Sequence, residues 1–379
     1  MSAALLLALC CATPVEGSAP DWNARLAPID RIVAEGIEDG EMPGCVVLVG
    51  RRNGVVWRKA YGDRAVEPER EPMTLDTRFD LASLTKPVVT AFCVHHLAER
   101  GELDLNAPVA DRLPAFGMHG KDAITPAHLL THTGGLIADN ALSDYRDGPE
   151  AAWRAICELK PLAAPGERFV YSDVGFITLG KLAEEVSGHS LDEYAAACLF
   201  EPLGMSRTGY NPPAAVRGEI APTERQGDDW RRGRVHDPRA AALGGVAGHA
   251  GLFSTADDLG RFARMLLGEG KLDEPGSSRL LTPETVRAMT APRTVPRGLR
   301  TRGWDNRSPY SSNRGDLFSD AAFGHGGFTG TALWIDPERD LFVVFLSSRL
   351  HPDGRGAVNR LIGRINTVAA AAVLCDVEL

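Results

Sequence analysis

The sequence predicts a chain of mixed α/β (α+β) class. An antiparallel sheet built from both chain ends and flanked by terminal helices carries a mostly helical inserted subdomain. Three observations predict it. Strand-like hairpins lie near both ends, a helical pattern lies outside each hairpin, and the middle is a succession of helical segments parted by Pro/Gly loops. A single sheet made from the two ends lets helices on its faces bury their apolar stripes.

At the N-terminal end, Leu26, Ile29, Ile32, Val33 and Ile37 recur at helical spacing, and Pro43-Gly44 stops the pattern. Cys45 to Val49 and Val55 to Tyr61 read as strands joined around Asn53-Gly54, a dipeptide that tolerates the positive φ of a tight hairpin turn. At the other end, Ala332 to Ile335 and Leu341 to Leu346 form a second hairpin across Asp336-Pro337-Glu338-Arg339-Asp340, and Ala357 to Val373 reads as a closing helix. Between them, segments near 84–100, 126–132, 150–159, 175–187, 191–199, 256–267 and 283–290 read as helices. Residues 211–243 and 291–322 read as long polar loops rich in Arg, Pro, Gly and Asp; loops of that length in a compact domain are functional or disordered. The expected division is a leader over 1–20 and one domain over 21–379, with a sheet subdomain about 21–80 and 295–379 and a helical subdomain about 81–294.

Composition narrows the function. The chain has 379 residues, 44% hydrophobic and 24% charged, the balance of a globular protein with a real core. Its net charge is −9 with no long basic run, which argues against a nucleic-acid partner, because such binding rests on clustered Lys and Arg. No apolar stretch is long enough to span a bilayer. Ala3 to Ala12 is a short apolar run followed by small residues, Gly17-Ser18-Ala19, which resembles the later part of a secretory signal peptide without its basic start. An exported, periplasmic or extracellular monomer is the expectation. Cys10 and Cys11 offer only a poor lipid-attachment site, and the scattered Cys45, Cys93, Cys157, Cys198 and Cys375 read as free thiols, mostly buried.

Three clusters carry chemistry. The first is Ser83-Leu84-Thr85-Lys86, where a strand-like run (Thr77 to Leu81) turns into a helical segment. Ser and Lys three apart on a helical turn share one face. Serine needs a neighbouring base to act as a nucleophile, and lysine serves only where its surroundings favour the neutral amine. The second is Tyr171-Ser172-Asp173, opening a helix after Pro165-Gly166-Glu167. A tyrosine beside an active lysine can shuttle protons; alone it reads as a half-buried tyrosine with its hydroxyl satisfied locally. The third is Gly324-His325-Gly326-Gly327-Phe328-Thr329-Gly330, just before the C-terminal hairpin. Its glycines let a substrate approach the backbone, and a strand edge there can offer an N–H to an oxyanion.

The order and spacing of the clusters resemble those of the serine β-lactamase/penicillin-binding protein superfamily, in its class C-like branch of periplasmic esterases and D-alanyl-D-alanine carboxypeptidase-like hydrolases. Ser83-Leu84-Thr85-Lys86 is similar to the first family motif. Tyr171-Ser172-Asp173 is similar to the second, with Asp where Asn is usual, and His325-Gly326-Gly327 stands where Lys-Thr-Gly stands in lactamases. Leu129 to Gly135 and Gly248 to Thr255 add to the resemblance.

The resemblance implies a β-lactamase/DD-peptidase-like fold. It implies Ser83 as the nucleophile of an acyl-enzyme, Lys86 taking or polarising its proton, and Tyr171 as general base and then acid. The backbone N–H groups of Ser83 and Phe328 would form the oxyanion hole. Asp173, His325, Gly326 and Gly327 would line the substrate site, with His325 replacing a cationic lysine to orient Tyr171 or bind a carboxylate. The substrate would be a small ester or a cell-wall-related D-amino-acid amide, with weak β-lactamase activity at most. No cofactor or catalytic metal is expected: His132, His236, His249 and His325 come from separate loops without a ligand spacing, and His95-His96 are adjacent.

Two departures bear on this. An ionised Asp173 would stabilise protonated Lys86 and oppose its work as a base, unless it points away or is neutral. A histidine at 325 is mostly uncharged near neutral pH. The alternative function is a catalytically weak or inactive muropeptide-binding protein on the same scaffold.

Overall fold

The structure is a computed structural model that describes residues 20–271 and 279–375. The predicted leader, with Cys10 and Cys11, lies outside the described residues.

The two chain ends do meet in one sheet. Strands β1 (Gly44–Arg51), β2 (Gly54–Ala65) and β3 (Glu71–Pro72) come from the N-terminal end. Strands β4 (Arg293–Val295), β5 (Gly298–Arg300), β6 (Asp305–Arg307), β7 (Phe323–Gly327), β8 (Thr331–Asp336) and β9 (Leu341–Ser347) come from the C-terminal end. Their order across the sheet is β3-β2-β1-β9-β8-β7-β6-β5-β4, and every neighbouring pair is antiparallel. The seam between the ends is β1 against β9, in register from Cys45 opposite Ser347 to Gly50 opposite Phe342.

Both faces of the central strands are buried, so these strands read as unbroken apolar runs. Side chains nevertheless alternate between two cores. Val46 and Leu48 of β1 join Phe342, Val344 and Leu346 of β9 on the face towards the helical region. Cys45, Val47 and Val49 join Leu341, Val343 and Phe345 on the other face. That second face is covered by the terminal helices α1 (Pro28–Glu38) and α5 (Asn359–Leu374), through Ile29, Ile32, Val33, Leu361, Ile362 and Ile365.

On the helical side stand α2 (Phe92–Glu99), α3 (Asp173–Ser187) and α4 (Ala256–Leu267). Helix α4 packs against the sheet at Gly260, where a Cβ would stand in ordinary contact, 3.6–3.7 Å from Phe342 and Leu48. A small sheet of Phe79–Asp80, Leu252–Ser254 and Gly209–Tyr210 joins the two regions.

Several expectations are corrected. The predicted strand over Thr77 to Leu81 shrinks to Phe79–Asp80, because the chain then turns sharply at Ala82. The segment near 84–100 is composite: a 3₁₀ turn over Ala82–Leu84, a π-helical stretch over Lys86–Ala91, and α2. The region 291–322 is not plain loop but holds β4, β5 and β6, three-residue strands too short to show alternation. Residues 211–243 carry a short hairpin, Arg225–Gln226 with Asp229–Trp230, and a helix over Pro238–Ala242. Cys45, Cys93 and Cys157 are buried free thiols, while Cys198 is only half-buried.

Leu48 is fully buried between the sheet and α4. Leu48→Ala removes that contact and leaves a cavity, which costs roughly 2–5 kcal/mol. A denaturant melt with an unchanged midpoint would contradict this placement.

Candidate active site

The nucleophile segment begins with a strained turn. Ala82, immediately before Ser83, has φ +45°, unusual for a residue with a side chain. A buried carboxylate holds it: Asp80 Oδ1 accepts the Ala82 N–H at 2.8 Å, and Oδ2 accepts the His236 N–H at 2.6 Å. Burial pushes the Asp80 carboxyl above its ordinary range, and the two N–H groups work against that shift. This turn presents Ser83 to a cleft of about 580 Å³ that is also lined by Tyr171, Arg300, Tyr310, Asn313, His325, Gly326, Gly327 and Phe328.

Lys86 lies beneath the serine and is fully buried. Its Nζ donates to Ser83 Oγ at 2.9 Å and to the His249 carbonyl at 3.0 Å, and it pairs with Asp173 Oδ1 at 2.7 Å. The Tyr171 ring centroid is 5.0 Å from the same nitrogen. Burial favours the neutral amine, but the Asp173 carboxylate and then the Tyr171 phenol outweigh it, so the proton is held more tightly than in an ordinary lysine. Burial likewise pushes the Tyr171 phenol upward; Lys86 opposes this, Asp173 reinforces it, and hydrogen bonding to Ser83 and Lys86 lowers it again.

Tyr171 and Asp173 flank the start of α3. Ser172 caps this helix: its Oγ accepts the Gly175 N–H at 3.1 Å and donates to the Ile137 carbonyl at 2.6 Å. His132, from the Leu129 to Gly135 segment, fixes the tyrosine. Its Nδ1 accepts the Ser172 N–H at 3.0 Å, and its ring lies 4.5 Å from that of Tyr171. Burial, together with the nearby charges of Arg300 and Lys86, keeps His132 neutral.

The third cluster is β7 and the turn after it. Two threonine hydroxyls tie it to the nucleophile segment: Thr329 donates to the Asp80 carbonyl at 2.6 Å and Thr331 to the Leu81 carbonyl at 3.1 Å. Gly327 permits the approach, since a Cβ there would sit 2.3 Å from the Leu81 carbonyl oxygen. Ser83 and Phe328, whose N–H groups are the expected oxyanion donors, thus line one cleft.

Comparison with known proteins gives the family and the fold. The Beta-lactamase family model matches residues 29–366. A protein of Escherichia coli strain K12, provisionally named a D-alanyl-D-alanine carboxypeptidase, is 31% identical over 370 residues, covering 86% of this chain and 83% of its own length. The chain belongs to the Beta-lactamase family. A Bacillus subtilis strain 168 protein named N-acetylmuramyl-L-alanine amidase is 31% identical over 368 residues, covering 86% of this chain and 81% of its own. Two solved structures share the fold: EstCE1, a hydrolase with promiscuous acyltransferase activity (TM-score 0.74, 23% identity, 92% of this chain and 99% of that one), and a penicillin-binding protein homologue from Caulobacter crescentus (TM-score 0.74, 22% identity, 95% and 100%). The family and its structural neighbours are hydrolases and penicillin-binding protein homologues.

Within this β-lactamase-type cleft, some groups differ from the sequence expectation. Asp173 is paired with Lys86 and is absent from the cleft lining, where the substrate-contact reading had put it. His325 lines the cleft but carries no charge to replace a lysine. Burial, then Arg300 and Lys86, hold it well below the ordinary histidine range, and its Nδ1 bonds the Gly326 carbonyl at 2.7 Å. The cation at this position is instead Arg300, on β5, which is fully buried; none of its guanidinium nitrogens has a hydrogen-bond partner among the described residues. Its nearest carboxylate contact is Asp305 Oδ1 at 3.6 Å.

Arg300 and Asp80 escaped the sequence reading. Arg300 sits in a polar stretch with no periodicity to place it. Asp80 had one faint signal, a carboxylate inside the apolar run Phe79-Asp80-Leu81.

Gly327→Ala drives a methyl into the Leu81 carbonyl and displaces the Phe328 amide. With folding intact by thermal melt, the expected loss in turnover is about 10²–10³, the range for one missing oxyanion donor. Wild-type rates in this variant would show that the approach of β7 to the nucleophile turn is unimportant.

Proposed function

We propose that the protein is a serine hydrolase that cleaves a small ester or a cell-wall-related D-amino-acid amide through an acyl-Ser83 intermediate. The carrying observation is the 2.9 Å hydrogen bond between Ser83 Oγ and the buried Lys86 Nζ, in a cleft that Tyr171 and Phe328 enter from distant parts of the chain.

In the proposed reaction, Ser83 Oγ attacks the carbonyl carbon as its proton moves to Lys86. The carbonyl oxygen becomes an oxyanion held by the N–H groups of Ser83 and Phe328. Tyr171 passes a proton to the leaving group and is resupplied by Lys86. Water then repeats the sequence in reverse on the acyl-enzyme. The names of the two relatives, a carboxypeptidase and an amidase of peptidoglycan units, support a cell-wall amide. A fold neighbour titled a family VIII carboxylesterase supports an ester. Arg300, which makes no hydrogen bond among the described residues and meets Asp305 only at 3.6 Å, supports a substrate that carries an anionic group, since a buried guanidinium gains most from a carboxylate hydrogen-bonded to it. His325, being neutral, adds a hydrogen bond rather than charge.

One observation favours a second reading, a muropeptide-binding protein that does not turn its ligand over. It is the 2.7 Å ion pair of Lys86 with Asp173, which opposes deprotonation of the lysine. Intact mass after incubation with an activated phosphonate or penicillin separates the two. The hydrolase reading expects one adduct on Ser83; the binding reading expects ligand protection in a thermal melt, unchanged ligand and no adduct.

Ser83→Ala and Lys86→Ala should each abolish turnover of p-nitrophenyl esters, and the double variant should be no worse than either single one. Additive losses would mean the two side chains do not act as a unit. Arg300→Gln, checked for folding, should lower kcat/KM on D-Ala-D-Ala peptides by roughly 10- to 100-fold, the worth of a hydrogen bond to a charged group, and spare uncharged esters. Equal losses on both substrate classes would remove Arg300 from anion recognition.

A further inference from the structure

Lys86 poses a problem that the acyl-Ser83 reading leaves open, and the following rests on that reading. The amine must be neutral when it takes the Ser83 proton, yet its surroundings keep it an ammonium. Nor can the proton escape directly to water, because the lysine side chain has no exposed surface. It must leave through a group within hydrogen-bonding reach of Nζ. Among the described residues these are Ser83 Oγ, the His249 carbonyl, the Asp173 carboxylate and the Tyr171 phenol. The serine hydroxyl and the backbone carbonyl are far too weak as bases. The phenol already carries its proton, since burial pushes its titration upward. Only the carboxylate remains.

We propose that Asp173 is the internal proton acceptor that makes Lys86 a base, so that the pair shares one proton throughout the reaction. The transfer balances without a co-reactant. The ammonium gives its proton to Asp173, leaving Lys86 as amine and Asp173 as carboxylic acid, with the site's net charge unchanged. The Ser83 proton then goes to the amine as the Oγ–carbon bond forms. When the leaving group departs, that proton follows it through Tyr171. After deacylation Asp173 returns its proton to Lys86. Asp173 therefore acts through Lys86 rather than on the substrate, which fits its absence from the cleft lining.

The surroundings of Asp173 suit this role. It occupies the first turn of α3, and its Oδ1 lies 2.7 Å from Lys86 Nζ. Behind it lie Asp139, Arg239, Asp237 and His249, from two further loops and a short helix. Carboxylate oxygens of Asp173 and Asp237 and a ring nitrogen of His249 all lie within 4.8 Å of one another. Asp237 is committed elsewhere: Oδ1 accepts the N–H groups of Arg239 and Ala240 at 2.9 and 2.8 Å and contacts His249 Nε2 at 2.9 Å. Asp139 contacts Arg239 at 3.5 Å, and burial, followed by repulsion from Asp173, pushes its carboxyl upward. Two further carboxylates thus lie close to Asp173. An asparagine at 173 could orient Lys86 but could not take its proton.

The test is the pH dependence of kcat/KM for a p-nitrophenyl ester, from about pH 5 to about pH 9, in the wild-type protein and Asp173→Asn. A shared proton makes the active form independent of solvent protons, so the wild-type profile should be level above its acid limb. In Asp173→Asn no internal acceptor remains, so the lysine loses its proton only by relay through the Ser83 hydroxyl to water in the cleft. Activity should then rise with pH, starting at least about tenfold below wild type near pH 6 and closing the gap at higher pH.

If Asp173 merely clamps the ammonium, the wild-type rate itself climbs roughly tenfold per pH unit, and Asp173→Asn is faster than wild type at neutral pH. That result overturns the inference while leaving acyl-Ser83 chemistry intact. Should Asp173→Asn fail to fold, the wild-type profile decides alone. Phosphonate labelling of Ser83, read by intact mass in the same preparations, keeps the two claims apart: an unlabelled, folded wild-type protein sinks both, whereas a labelled one with a steeply rising profile sinks only the proton-sharing role of Asp173.

Discussion

A fully buried ammonium governs the architecture of this cleft. Taking one charge out of water costs several kcal/mol even after relaxation, unless it is paired and hydrogen-bonded. Lys86 meets that demand with three partners from three separate segments: Ser83 on its own turn, Asp173 at the head of α3, and the His249 carbonyl from the loop before the small sheet. Satisfying the charge therefore also assembles the site. Each partner is anchored in turn by ordinary structure: an N-terminal helix cap at Ser172, a carboxylate-held turn at Asp80, and the pairing of Leu252–Ser254 with Phe79–Asp80.

The sheet supplies the remaining wall. Strand β7 stands in its C-terminal half, and the hydroxyls of Thr329, in the turn after β7, and Thr331, at the start of β8, tie this part of the sheet to the carbonyls just before Ala82. Glycine at 327 is the geometric condition for the tie, because two backbones meet where a side chain would stand. Arg300, on the next strand but one, gives the cleft a fixed positive charge that titration near neutral pH does not remove. The histidines around it have the opposite character: His132 and His325 are both neutral and serve as packing and hydrogen-bonding groups.

Much of this was legible in the sequence. The hairpins at both ends carry strong local signals, Asn53-Gly54 and the Asp336 to Asp340 turn, and both fold where expected. Helix α4 over Ala256–Leu267 coincides with the segment near 256–267 read as a helix. What escaped had no local signal. Strands β4 to β6 are stabilised by neighbours across the sheet rather than by alternation within three residues. The expected members of the site, Ser83, Tyr171, His325 and Phe328, do line one cleft, with Lys86 beneath them. The cation Arg300 and the turn-holding Asp80 did not stand out, because their importance lies in burial and in partners remote along the chain. Asp173 was visible only as a deviation from a motif; its contact with Lys86 is a fact of three-dimensional packing.

The most direct measurement of the central claim is a crystal structure of the protein after reaction with an activated phosphonate. The account predicts a covalent bond from phosphorus to Ser83 Oγ and a phosphonyl oxygen about 2.7–3.1 Å from both the Ser83 and Phe328 nitrogens. Lys86 and Tyr171 would lie beside the adduct and its departing group. A phosphonate attached to another residue, or one on Ser83 whose oxygen turns away from the Phe328 amide, would contradict it.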